Sequence, residues 1–208
     1  MLDGEHYTQI SSDGKRLVKY SFKTGKEVAT IFDVETARDC TIKHFDDYIM
    51  SPNESLILIQ TDTKPIYRHS FTANYYIFNV KNNKMEPLST GGPQQVPLFS
   101  PDGNQIAFVR NNNIYLVKLL FNNSESQITT DGKYNEVLNG IPDWVYEEEF
   151  GFNRAFDFSA DSKMIAYIRF DESKVPMYSF PLYKGKSPSL DQYATCLLYT
   201  SPSPRDTR

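Results

Sequence analysis

The chain has 208 residues, a net charge of −4 and 39% apolar residues, which fits an ordinary folded, mildly acidic protein and argues against a nucleic-acid partner. Its 14 Tyr and 14 Phe suit strands better than helices. No apolar stretch approaches the ~20 residues needed to cross a bilayer, and Met1-Leu2-Asp3-Gly4-Glu5-His6-Tyr7 has neither the basic nor the apolar part of a secretory signal, so the chain is either cytosolic or lacks its true N-terminus.

A short turn phrase punctuates the chain. Ser11-Ser12-Asp13-Gly14, Ser51-Pro52-Asn53-Glu54, Ser100-Pro101-Asp102-Gly103 and Ser159-Ala160-Asp161-Ser162 recur at spacings of roughly 40, 49 and 59 residues, the range of β-propeller blades carrying loop insertions. Ser-Pro-Asp-Gly supplies type I turn chemistry: Ser caps the turn, Pro presets φ at the second position and Gly relieves the exit. The runs Leu56-Ile57-Leu58-Ile59, Ile106-Ala107-Phe108-Val109 and Met164-Ile165-Ala166-Tyr167-Ile168 follow the later phrases. Such continuous apolar runs predict strands covered on both faces, as inner strands between neighbouring blades are.

Second strands follow these runs. Asn74-Tyr75-Tyr76-Ile77-Phe78-Asn79-Val80 leads into a turn at Lys81-Asn82-Asn83-Lys84, and Asn111-Asn112-Asn113 turns the chain into Ile114-Tyr115-Leu116-Val117-Lys118-Leu119. Asn tolerates positive φ, so the latter reads as a hairpin. Helical periodicity is confined to one short turn near Tyr146 to Phe150. The expected fold is all-β: a partial β-propeller of about three to four blades, too few to close a ring. A β-sandwich, with short strands at similar spacing, is the competing architecture.

From Cys196 the texture changes abruptly. Cys196-Leu197-Leu198-Tyr199-Thr200-Ser201-Pro202-Ser203-Pro204-Arg205-Asp206-Thr207-Arg208 looks like the translation of a transposon-based sequencing adaptor. The expected division is therefore a native fragment over residues 1–195 and a non-native tail over 196–208. Cys40 is then the one native cysteine, a small hydrophobe rather than a nucleophile.

Catalytic chemistry has no visible seat. Gly-x-Ser-x-Gly does not occur, and His6, His44 and His69 are scattered with no metal-type pairing. No catalytic residue, metal ligand or cofactor site is assigned, and the chain alone should hydrolyse nothing. Recognition chemistry is better represented. Asp143-Trp144-Val145-Tyr146-Glu147-Glu148-Glu149-Phe150 sets three adjacent carboxylates among aromatics. Like charges repel and an apolar setting raises the cost of ionising them, so a chain that keeps them together has a cation to hold. A bare triple Glu would read as a solvated face.

Asp-Trp-Val-Tyr-Glu-Glu-Glu at residues 143–149 resembles the double-glutamate motif of the dipeptidyl peptidase IV family. Tyr67-Arg68-His69-Ser70-Phe71-Thr72-Ala73-Asn74-Tyr75 resembles that family's segment whose arginine contacts the carbonyl of the substrate's second residue. The intervening Ser100-Pro101-Asp102-Gly103 blade and the segment Phe170-Asp171-Glu172-Ser173-Lys174-Val175-Pro176-Met177 agree as well. The resemblance implies a serine exopeptidase that releases X-Pro, less readily X-Ala, dipeptides from peptide N-termini. It assigns substrate binding to Arg68, Glu148 and Glu149, the glutamates gripping the free amine. It also implies an eight-bladed propeller joined to a C-terminal α/β-hydrolase domain that carries Ser, Asp and His and is absent here. Homodimers and export, to the periplasm or a membrane, are implied for the intact protein.

Elementary chemistry agrees with these roles. An ammonium offers three donors, and two converging carboxylates give it short, charge-assisted hydrogen bonds. An N-acylated substrate lacks that cation. Arg68 can hold a carbonyl and offset the carboxylate repulsion; its alternative is a surface ion pair. Glu147 reads as structural or solvated, and Tyr146 and Trp144 are expected to pack beneath the glutamate turn. The sequons at Asn53 and Asn122 read as chance. Rival readings are a non-catalytic propeller binding module, an inactive relative of the peptidase, or an acylaminoacyl peptidase, which has no use for paired glutamates.

Overall fold

A computed structural model describes residues 1–175 and the backbone of two further strands, Tyr178–Leu182 and Ser189–Tyr193. Pro176, Met177 and the Cys196–Arg208 tail lie outside the described residues. The first sheet is three-stranded: β1 (His6–Ile10), β2 (Arg16–Ser21) and β3 (Glu27–Asp33). The second runs β4 (Asp47–Met50), β5 (Leu56–Pro65), β6 (Phe71–Asn79), β7 (Lys84–Pro87). The third runs β8 (Gln95–Phe99), β9 (Gln105–Arg110), β10 (Asn113–Lys118), β11 (Ser124–Gln127). Each pairs its strands antiparallel in chain order, the meander of propeller blades.

A fourth unit begins with β12 (Val137–Asn139), the helix α1 (Trp144–Phe150), β13 (Phe156–Phe158), β14 (Ile165–Tyr167) and β15 (Arg169–Asp171). Here β13 pairs with β14, while β15 returns to β12. The strands β16 (Tyr178–Leu182) and β17 (Ser189–Tyr193) form a further hairpin. The fold is the expected partial propeller: three blades and the start of a fourth.

The four turn phrases adopt one geometry, each joining the first two strands of its sheet. In each, the leading serine's Oγ donates to the Oδ1 of the third residue at 2.5–2.9 Å. The same Oγ accepts from the backbone N–H five residues on at 2.9–3.0 Å. The fourth residue's N–H donates to the serine carbonyl, and its φ is left-handed: +67° at Gly14, +57° at Glu54, +73° at Gly103 and +61° at Ser162. Glycine takes that conformation freely, whereas Glu54 and Ser162 hold it against their own Cβ. The asparagine hairpin is a two-residue turn with positive φ at Asn111 and Asn112, pairing Arg110 with Asn113, as a type I′ turn requires.

Alternation along the inner strands explains the continuous apolar runs. Ile57 and Ile59 of β5 face the first blade, packing with Leu17, Phe32 and Phe45. Leu58, between them, faces the third blade and packs with Ile106 and Phe108. On β9 the pattern repeats: Ile106 and Phe108 face the second blade, and Ala107 and Val109 meet Ile141 and Phe156 of the fourth. Side chains two apart share a face, so a strand between two blades must be apolar throughout. The run at residues 164–168 departs from this. Ile165 packs on the third core, but Met164, Ala166, Tyr167 and Ile168 are exposed among the described residues.

Candidate functional site

Strands β5 and β6 extend beyond the rest of their sheet as one long hairpin, with a register shift between Thr61 and Lys64. Its tip closes through Ile66 N–H donating to the Ser70 carbonyl at 2.8 Å. Arg68 stands on that tip, its side chain 73% exposed.

The opposing element is α1. Seven residues are too few for a helix to persist on propensity alone, so its ends and its packing hold it. Asp143 caps the start, its Oδ1 accepting from Tyr146 N–H at 2.9 Å. Gly151 closes the end in the left-handed region at φ +69°, its N–H donating to the Glu147 carbonyl. Val145 and Glu147 form the buried side.

Glu147 is 1% exposed. Its Oε1 accepts from two consecutive backbone N–H groups, His69 and Ser70, each at 2.8 Å and 78 and 77 residues away in the chain. Asn153, just past the helix, donates its Nδ2 to the His69 carbonyl at 2.9 Å. The hairpin tip is thus held from both sides by the helix segment. A backbone–carboxylate bond of this kind is charge-assisted, and deleting it strands two amides at ~1–3 kcal/mol each.

This contact brings two of the three expected recognition residues together. Arg68 Nε lies 3.1 Å from Glu148 Oε2, and the Glu148 side chain is 18% exposed. Because the guanidinium is so open to water, the ion pair itself contributes only ~0–1 kcal/mol. Glu149 follows on the exposed side of the helix and makes no ion pair among the described residues. A guanidinium and a carboxylate thus meet at the surface, with Glu149 the next residue along the helix, a set of donors and acceptors suited to an ammonium and a neighbouring carbonyl.

Two expectations are refined by the geometry. Of the alternatives for Glu147, the solvated one is excluded, since it is the buried member of the triplet. Tyr146 does not lie beneath the helix. It is 42% exposed and heads an aromatic cluster, with ring centroids 5.3 Å from Phe150 and 5.1 Å from Phe170. The helical period explains this, because Tyr146, Glu149 and Phe150 share a face and Glu147 points elsewhere. A cavity of about 680 Å³ opens on the buried side of the clamp, lined by Tyr67, Ser70, Trp144, Glu147 and Asn153 among others. Neither Arg68, Glu148 nor Glu149 lines it. The Ser70 Oγ is buried without a partner among the described residues. Asn153 was not among the residues singled out from the sequence, and no local pattern marks it: its partner lies 84 residues away.

Residues 51–204 match the sequence profile described as the dipeptidyl peptidase IV N-terminal region. The dipeptidyl peptidase 4 of Trichophyton equinum is 37% identical over 187 residues, which cover 88% of this chain and 23% of that protein. That of Arthroderma otae is 35% identical over the same length and coverage. The crystal structure of Porphyromonas gingivalis dipeptidyl peptidase 4 superposes with a TM-score of 0.87 at 45% identity, covering 93% of this chain and 28% of that one. The chain thus spans about a quarter of the length of these relatives.

Proposed function

The chain belongs to the dipeptidyl peptidase IV family, in its N-terminal region, and from that premise we propose that it is the substrate-recognition part of a serine exopeptidase. The intact protein releases X-Pro and X-Ala dipeptides from peptide N-termini. Glu148 and Glu149 hold the substrate's free amine, and Arg68 holds the carbonyl of its second residue. The observation that carries this reading is the convergence of Arg68 and Glu148 at 3.1 Å from two distant segments, with Glu149 adjacent.

The logic is that of an end-reader. Two carboxylates satisfy an ammonium's donors only when the amine is free, so chain position is read by charge. Arg68 offsets the repulsion between the neighbouring carboxylates and supplies donors for the peptide oxygen. The nucleophile, its base and the oxyanion hole belong to a C-terminal α/β-hydrolase domain, and further blades complete the propeller. Export to the periplasm or a membrane, and assembly as a homodimer, go with this assignment. Fractionation and gel filtration of the native protein test those two points.

Blocking the amine tests the central one. The full-length protein should cleave Gly-Pro-p-nitroanilide and leave its N-acetylated form essentially untouched. Equal turnover of the two compounds would remove the amine-anchor role.

A further inference from the structure

Resting on that reading of Arg68, Glu148 and Glu149, we propose that Glu147 is a positioning residue for the substrate site. It acts through the backbone of His69 and Ser70, with Asn153 as its second support. Arg68 has a long side chain that is 73% exposed, and among the described residues the ion pair to Glu148 is its one polar restraint. What fixes the guanidinium is therefore the path of the backbone beneath it. A single oxygen, Glu147 Oε1, receives the N–H groups of two successive residues, which sets the orientation of the peptide planes immediately following Arg68. Asn153 holds the carbonyl of the same residue, His69, so the tip cannot rotate about one contact alone.

Glu147 also precedes Glu148 and Glu149 on α1. The bond that fixes the tip therefore fixes the carboxylates relative to it, and the guanidinium and the acidic pair hold their spacing before any peptide arrives. Preassembly of this kind lowers the ordering cost of binding. The three glutamates then divide the labour: the buried first aligns the scaffold, and the following two meet the ligand.

The test uses the full-length protein and Gly-Pro-p-nitroanilide. Glu147→Gln keeps an oxygen that accepts both N–H groups and should retain kcat/KM within ~3-fold, whereas Glu147→Ala should lose ~10-fold or more through misplacement of Arg68. In an Arg68→Ala background, Glu147→Ala should add little further loss, because both act through the same side chain. Amide hydrogen exchange in the peptide carrying His69 and Ser70 should quicken in Glu147→Ala and stay slow in Glu147→Gln, with the β9 strand unchanged. If Glu147→Ala folds poorly, Asn153→Ala removes a single exposed hydrogen bond and should show the same coupling to Arg68. Near-native kinetics for Glu147→Ala, or losses that multiply with Arg68→Ala, overturn the positioning role. Should Arg68→Ala and Glu149→Gln themselves leave kcat/KM unchanged, the substrate-binding reading fails instead, while the exchange data still report whether Glu147 holds the tip.

Discussion

Neutralising Glu149 separates a ligand-binding carboxylate from a structural one. Glu149→Gln is isosteric and removes one charge from an exposed residue with no ion pair among the described residues. Folding stability should stay within ~0.5 kcal/mol, as for surface changes away from any cap or core. Binding is another matter. A hydrogen bond to a charged group contributes ~1.5–3 kcal/mol, and at about 1.4 kcal/mol per tenfold change this is ~10- to 150-fold in kcat/KM. Loss of orientation at the scissile bond adds to it, so ~10²-fold or more is expected. Glu148→Gln should be similar in rate. It also deprives Arg68 of its partner, but with the guanidinium 73% exposed that pair contributes ~0–1 kcal/mol and Tm should barely move. Initial rates on Gly-Pro-p-nitroanilide, with thermal unfolding of each full-length variant, make the comparison. If both Gln variants kept kcat/KM within a few-fold of the parent, the acidic run would be a solvated face and the amine-anchor assignment wrong. Activity lost only in proportion to Tm would equally refute it.

The 208-residue chain by itself should show no hydrolysis of Gly-Pro or Ala-Pro chromogenic substrates, since it carries no Gly-x-Ser-x-Gly nucleophile; activity that co-purifies with it would contradict this. Phe108→Ala should cost ~3–5 kcal/mol in urea unfolding, because the ring is fully buried between the second and third blades. Gly103→Ala should destabilise by about 1–2 kcal/mol through its φ of +73°, the added methyl meeting only ordinary contacts near Asn53, whereas Glu54→Gly, at φ +57°, should be neutral or stabilising by urea midpoint. The turn aspartates Asp13, Asp102 and Asp161 are held below the usual carboxylate range, first by the serine hydroxyls and then by backbone N–H donors. Their contribution is therefore complete above the unfolded value of ~4 and is lost as pH falls through the lower folded values, so unfolding midpoints should drop on acidification, less steeply in Ser100→Ala.

Much of the fold was legible because its signals are local. The turn phrase carries its own hydrogen-bond donors and acceptors, so Ser100-Pro101-Asp102-Gly103 marks a strand junction without reference to the rest of the chain. The runs at residues 56–59 and 106–109 report coverage on both faces, because a two-residue period leaves no polar position in a strand between blades. That rule fails at residues 164–168, where only Ile165 packs on a described core; an apolar run registers a demand for burial rather than its fulfilment. At the site, Arg68, Glu148 and Glu149 were visible through motif resemblance alone. The role of Glu147 was not, since nothing in a run of three glutamates distinguishes the one that turns inward. Its partners are backbone amides of another segment, and backbone leaves no mark in a sequence. Asn153 was invisible for the same reason.

The hairpin bearing Arg68 grows from the second blade, and the helix bearing Glu148 leads into the fourth. Their meeting point bridges the third blade, and it is fastened where Glu147 and Asn153 of the helix segment hold the hairpin tip. The separation of guanidinium and carboxylate is consequently a gauge of curvature: any widening or tightening of the angle between successive blades is delivered to the tip of a long lever. Substitutions in the seams on either side of β9 would be felt at Arg68 and Glu148 as a change of spacing. Tolerance for volume changes at Ile106, Ala107, Phe108 and Val109 is then set by two demands at once, burial locally and gauge length at a distance.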